Sequence, residues 1–382
     1  LYYNDDQTHQ LDYNLRSSST VSPRAHDVTN IMVNNTLSNA LEAHSEEVNF
    51  YLSRERKGKK VSLAKKRMAI LNSLPAPIAE HLRKLLVPVD DENDGFDKVS
   101  FARLRQLNNT FHVVMESLAY TMLAQLWEAE ILASQALTLP DKHVEVVKKF
   151  FFQSQEEKAT YDYTKLIRNI REIFDHNSFP YFVKELEYTK KLILQDQVFK
   201  DACFFMNLLA KKLHERSVAT YELADMCIRG EKSLCNIFDK IGFIANYTFT
   251  SVSSIDVEKY RHLRIPSFKH SVVRLIDLLG GLEETEIELD NFLDNRSVLL
   301  LKESEEDSTF LNLSPFIIDE TAFSKEEEDV SKIRFFHYFE AASDTYYFRY
   351  VNKPEDDLLA VKAGEKYEIV KIQLDTFRNI LF

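Results

Sequence analysis

Residues 101–137 constrain this chain more than any other stretch, because only one secondary structure fits them. Small or apolar residues recur at Leu104, Leu107, Phe111, Val114, Leu118, Met122, Leu126, Ala129, Ala133 and Ala136. Steps of three or four throughout are the period of one helical face. Neither Gly nor Pro interrupts the run, and Ser100 stands where an N-cap belongs. At about 1.5 Å per residue the expected rod is roughly 55 Å long. A second row, Val113, Tyr120, Leu123 and Trp127, is also apolar, so this part is expected to be covered on more than one side.

The segments before and after it read mostly as further helices. Residues 1–26 are polar and aperiodic, an expected N-terminal arm. Asp27 can cap a helix over 27–52, and Ser62 opens another that breaks at Leu-Pro-Ala-Pro, where Pro75 and Pro77 remove amide donors. A short helix over 78–86 leads to an acidic loop. Beyond the rod, helices are expected over 140–155, 161–176, 180–195, 196–216, 220–229, 231–249, 255–264 and 267–279. After Gly280-Gly281 a short acidic helix over 282–293 gives way to runs rich in β-branched and aromatic residues: SVLLLK, FLNLSPFII, KIRFFHYFEA, TYYFRYV, LLAVKA and YEIVKIQL. These read as strands, with a closing helix over 374–382. The expected fold is therefore mainly α. A multi-helix array over 27–282 is followed by an acidic linker over 283–296 and a small β-rich or mixed domain over 297–382.

Composition narrows the chemistry. Seven glycines in 382 residues are far below the usual share of about 7%, so phosphate-cradling loops have little to be built from. The net charge of −12 is concentrated: residues 283–329 hold 16 acidic and 3 basic residues. Against it stands RERKGKKVSLAKKR, residues 54–67, with eight Lys or Arg and one Glu. Cys203, Cys227 and Cys235 fall in no metal or redox spacing, which suits reduced thiols and a cytoplasmic location. The longest uncharged apolar run, residues 117–127, is too short to cross a bilayer. No P-loop, dinucleotide fingerprint, nucleophile elbow, C-x-x-C, H-E-x-x-H or Glu-x-x-His pair occurs. No cofactor and no metal are expected.

Three groups of residues carry functional expectations. Arg171 and His176, in REIFDH, form Arg-x4-His on an expected helix, which resembles the motif of HEPN-type ribonucleases. In that superfamily paired helical domains bring Arg and His to an RNA phosphodiester without a metal. The resemblance implies that His176 assists proton transfer at the 2′-hydroxyl or leaving oxygen and that Arg171 binds the phosphate. The aromatic hairpin formed by KIRFFHYFEA and TYYFRYV offers Phe335, Tyr338, Tyr346, Phe348 and Tyr350 as an exposed row for a protein partner. Two basic groups, Arg54, Arg56, Lys57, Lys59 and Lys60 in one and Arg261, Arg264 and Lys269 in the other, are the candidates for nucleic-acid contact. The second group sits in KYRHLRIPSFKH, with Lys259, His262 and His270 beside it.

The leading expectation is a non-catalytic helical scaffold or regulatory subunit that binds a protein partner in an intracellular assembly. A homo-oligomer is compatible with it. The alternatives are a HEPN-like toxin or defence effector acting through Arg171 and His176, and an RNA-binding module.

Overall fold

In the computed structural model the described residues are 23–86, 96, 98–132, 140–262, 264–275, 283–289, 293–302, 309–324, 331–352 and 357–381. In chain order their helices begin with α1 (Pro23–Leu41), α2 (Glu46–Arg56), α3 (Leu63–Asn72), α4 (Ala76–Leu86), α5 (Phe101–Leu132) and α6 (Asp141–Phe151). They continue with α7 (Gln155–Lys158), α8 (Tyr163–Asn177), α9 (Thr189–Leu194), α10 (Gln197–His214), α11 (Leu223–Ile241) and α12 (Glu368–Leu381). A mainly helical protein thus ends in a β-rich part, as its sequence predicts. The chain divides into two compact units, residues 1–114 with 191–246 and residues 115–190 with 247–382.

The first unit is helical. The single helix expected over 27–52 is two, because Ser45 starts α2 afresh: its hydroxyl accepts from the Val48 amide at 3.2 Å, and Glu46 and Glu47 follow in the first turn. The Leu-Pro-Ala-Pro step separates α3 from α4. Ser100 caps α5, accepting from the Arg103 amide at 3.0 Å. Leu104, Leu107, Phe111, Val113 and Val114 of α5 are all buried. A buried ion pair joins Arg103 to Glu231 of α11 at 2.7 Å. α10 and α11 pack as a pair of helices. Of the expected arm, residues 1–22 lie outside the described residues, as do residues 133–137 of the expected rod.

The second unit takes α5 from Met115 onward and wraps it in aromatic side chains. Among the described residues its strands form two antiparallel sheets. β1 (Thr248–Glu258), β2 (Ser267–Arg274), β3 (Glu283–Leu289), β4 (Val298–Lys302) and β5 (Thr309–Asn312) lie in the order β3-β2-β1-β4-β5. β6 (Ile317–Asp319), β7 (Ile333–Glu340), β8 (Thr345–Tyr350) and β9 (Leu358–Val361) form a meander in sequence order. Tyr120 is fully buried against Phe150, Phe316 and Phe335, and its hydroxyl donates to the Phe336 carbonyl. One turn back on α5, the buried Glu116 accepts from Tyr163 at 2.6 Å and pairs with Arg349 of β8. Burial brings Arg349 down to about 10.

Several expected elements are corrected. Where helices are expected over 255–264 and 267–279, residues 255–258 and 267–274 are strand: β1 and β2 pair there antiparallel, with Val257 opposite Phe268 and Ile255 opposite His270, while residues 276–279 lie outside the described residues. The helix expected over 231–249 ends at Ile241, turns through a 3-10 segment at Gly242–Asn246 and enters β1. In the acidic segment, Glu283–Leu289 is β3; Thr285, Ile287 and Leu289 alternate with Glu284, Glu286 and Glu288, a period of two. YEIVKIQL is the opposite case. It opens α12, because Val370, Leu374, Phe377 and Leu381 are buried at steps of four, three and four.

Candidate functional site

Arg171 and His176 lie on α8, an amphipathic helix capped by Asp162. Five residues at 100° each put the two side chains about 140° apart around the axis. Arg171 is buried, with its guanidinium against both Asp175 oxygens at 2.8 and 2.6 Å, Glu172 at 3.7 Å and the Glu187 carbonyl at 3.4 Å. His176 is exposed in the last turn. Arg171 is therefore already neutralised by carboxylates that a phosphate would have to displace, and His176 faces elsewhere.

The aromatic hairpin also differs from expectation. Phe335, Tyr346 and Phe348 are fully buried. Their rings are packed from both faces of the sheet, Phe335 against Tyr120 and Phe336 between Phe151 and Phe348. No exposed row of five exists there. Tyr338 and Tyr350 are half-buried, and Tyr338 stacks on Tyr347 at 4.6 Å across the β7–β8 ladder.

The basic groups separate by their neighbours. Arg56 is committed to Glu42, and Lys66 and Arg67 are buried, with Lys66 at 2.9 Å from Glu55. Arg54, Lys57, Lys59 and Lys60 are exposed around the end of α2. In the second group, Lys269 is paired with Glu258 at 2.9 Å. His270 is wholly buried, its Nε2 accepting from the Leu293 amide at 2.9 Å. Both leave the candidate surface.

What remains is the turn between β1 and β2, whose described residues are 259–262 and 264–266. Antiparallel pairing closes at Glu258 opposite Ser267, so the intervening residues stand beyond the last rung of the ladder. Lys259 Nζ donates to the Arg264 carbonyl at 2.9 Å and clamps the turn. The Tyr260 and His262 rings stack 6.0 Å apart at 12°. Arg261, His262 and Arg264 are exposed, as are Tyr260 at 57% and Ile265 at 74%. Neither Arg261 nor Arg264 has an ion-pair partner among the described residues. Over 256–269 two acids, Asp256 and Glu258, oppose Lys259, Arg261, Arg264 and Lys269, leaving two positive charges in excess. The turn thus carries a flat ring pair and two guanidiniums, whose planar forks match the geometry of phosphate in general. The sequence shows Arg261, Arg264 and the aromatic content of this patch; the exposure of Tyr260 and Ile265 depends on the strands that lift them out.

No helix among the described residues is long and apolar enough to cross a membrane, and no three His, Cys, Asp or Glu side chains among them are grouped to hold a metal. Comparison with protein-family models, with curated proteins and with solved structures finds no match to this chain.

Proposed function

We propose that this chain is a non-catalytic helical scaffold whose contact with its partner is the β1–β2 turn, and that the partner is a single-stranded nucleic acid. The observation that carries the reading is the exposed Tyr260–His262 stack in the same turn as the exposed Arg261 and Arg264, neither of which has an ion-pair partner among the described residues. Bases stack on such rings whatever their sequence, while arginine forks take the phosphates. Two net positive charges support a modest, salt-sensitive affinity, with a slope of log affinity against log salt of about −1.4, at roughly 0.7 per neutralised phosphate.

Fluorescence anisotropy of a labelled 15-nucleotide RNA and its DNA counterpart tests this. Arg261→Glu with Arg264→Glu is expected to weaken binding at least tenfold, and Tyr260→Ala severalfold, with little effect on folding because these residues are exposed. An affinity indifferent to both salt and charge reversal sinks the proposal.

A protein partner is the second reading, favoured by apolar side chains exposed on the α10–α11 pair and just before it: Phe204 at 72%, Ile228 at 57% and Tyr221 at 87%.

A further inference from the structure

Trp127, the chain's single tryptophan, forms one wall of a cavity of about 260 Å³ in the second unit. This is near the small end of ligand sites, roughly 300–1,000 Å³. Its indole is held from behind by Phe377 at 5.5 Å and Phe316 at 6.3 Å. Phe310 lines the same cavity, together with two carboxylates, Glu128 and Asp294. Asn312 Nδ2 donates to Asp294 at 2.8 Å and fixes its carboxylate. No Lys, Arg or His is among the described lining residues. Partial burial against the cavity wall, and then the neighbouring Asp294 charge, raise Glu128 above its ordinary value.

Two like charges beside aromatic walls, with no cation among the described lining residues, are relieved by a cation placed between them. A hard metal ion suits the cavity poorly. Such ions ask for six or more oxygens, whereas much of this wall is carbon and the oxygens of Asn312 and Ser314 already accept or donate within the loop. An ammonium carried on carbon satisfies both halves, its charge facing the carboxylates and its alkyl groups facing the indole.

We propose that this cavity binds a small organic ammonium ion, either free or presented on a lysine side chain. The site is independent of the β1–β2 turn.

Because Trp127 is the only indole, its fluorescence reports this cavity alone, with calorimetry as the second readout. The probes are choline for a free cation, the Nα-acetyl methylamide of trimethyllysine for a side chain, and 3,3-dimethylbutan-1-ol as the neutral isostere of choline. A saturable change with either cation is expected, with the isostere at least tenfold weaker. The tighter of the two cations identifies the source. Glu128→Gln and Asp294→Asn, both at exposed positions, are each expected to weaken the cation about tenfold, as for loss of one carboxylate's Coulomb attraction to it. Binding should also fade as pH falls and Glu128 takes up its proton. The proposal is overturned if neither cation gives a saturable signal, or if the isostere binds as well as choline. The isostere comparison uses the unaltered protein and stands whatever the variants' stability.

Discussion

Lys158 holds its amine inside the second unit, 2.9 Å from the centre of the Phe150 ring and 5.4 Å from that of Phe336, with no hydrogen-bond acceptor among the described residues. A ring face compensates a buried charge only in part, and burial pushes the amine well below its ordinary value of 10.5. His337 nearby is pulled down to about 4, by burial first and by the Lys158 charge second. Both shifts have the same sign. The unfolded chain binds more protons than the folded one, so stability rises with pH wherever the two forms differ. For His337 that window runs from about 4 to the ordinary 6.5, and acidification through it destabilises the fold. For Lys158 the window lies higher, below 10.5. Lys158→Met, which removes the amine and keeps the stem, is expected to raise stability at pH 7 by about 1–3 kcal/mol. It should also flatten the rise between pH 7 and 9. Urea unfolding at the two pH values measures this; a less stable Lys158→Met protein at pH 7 would mean the amine has an acceptor after all.

At the scale of elements, the junction after α11 depends on one missing methyl group. A Cβ on Gly242 would stand 2.2 Å from the Ala40 carbonyl oxygen near the end of α1, and that contact is backbone, which has little room to yield. Gly242→Ala is expected to destabilise by about 1–3 kcal/mol, the range for overpacking. Gly58→Ala meets no neighbouring atom, and its effect comes from a positive φ of 70° alone. Thermal unfolding of the pair separates crowding from backbone strain, and an unperturbed Gly242→Ala protein would refute the close approach. The sequence carries α5 well: its first apolar row is buried from Leu104 to Leu126, and Val113, Tyr120 and Leu123 of the second row are buried too, because a 3.6 period sustained over so many turns has no other explanation. β7 and β8 were equally plain from their aromatic and β-branched content. Residues 255–264 and 267–279 were not. Their apolar residues, among them Phe268, Val272 and Leu275, fall at steps of three and four that suit a helix as well as a strand, and partners across the ladder decide such segments more than local preference does. The candidate surface shows the same limit. Arg261 and Arg264 are visible as charges, but that Lys269 is paired and His270 buried follows only from the register of β1 against β2 and from the loop at Leu293.

For the whole molecule, a polyanion approaching the β1–β2 turn meets a protein whose net charge is −12, with 16 acidic and 3 basic residues in 283–329 alone. Local attraction and global repulsion therefore compete, and salt decides between them. Screening cuts off charges beyond about 8 Å at 0.15 M but only beyond about 30 Å at 0.01 M. At physiological salt only the charges nearest the turn count, β3 with Glu288 opposite Lys269 being the part of the acidic segment paired with β2; at low salt the rest of the segment joins in and opposes it. Neutralising Glu326, Glu327, Glu328 and Asp329 to their amides is accordingly expected to tighten binding of a 15-nucleotide RNA severalfold at 0.01 M, with the gain vanishing by 0.15 M. Anisotropy titrations of both proteins across that range read the difference directly. A gain that persists unchanged at 0.15 M would place those four carboxylates within direct reach of the RNA, and no gain at 0.01 M would show that the long-range field does not govern the encounter.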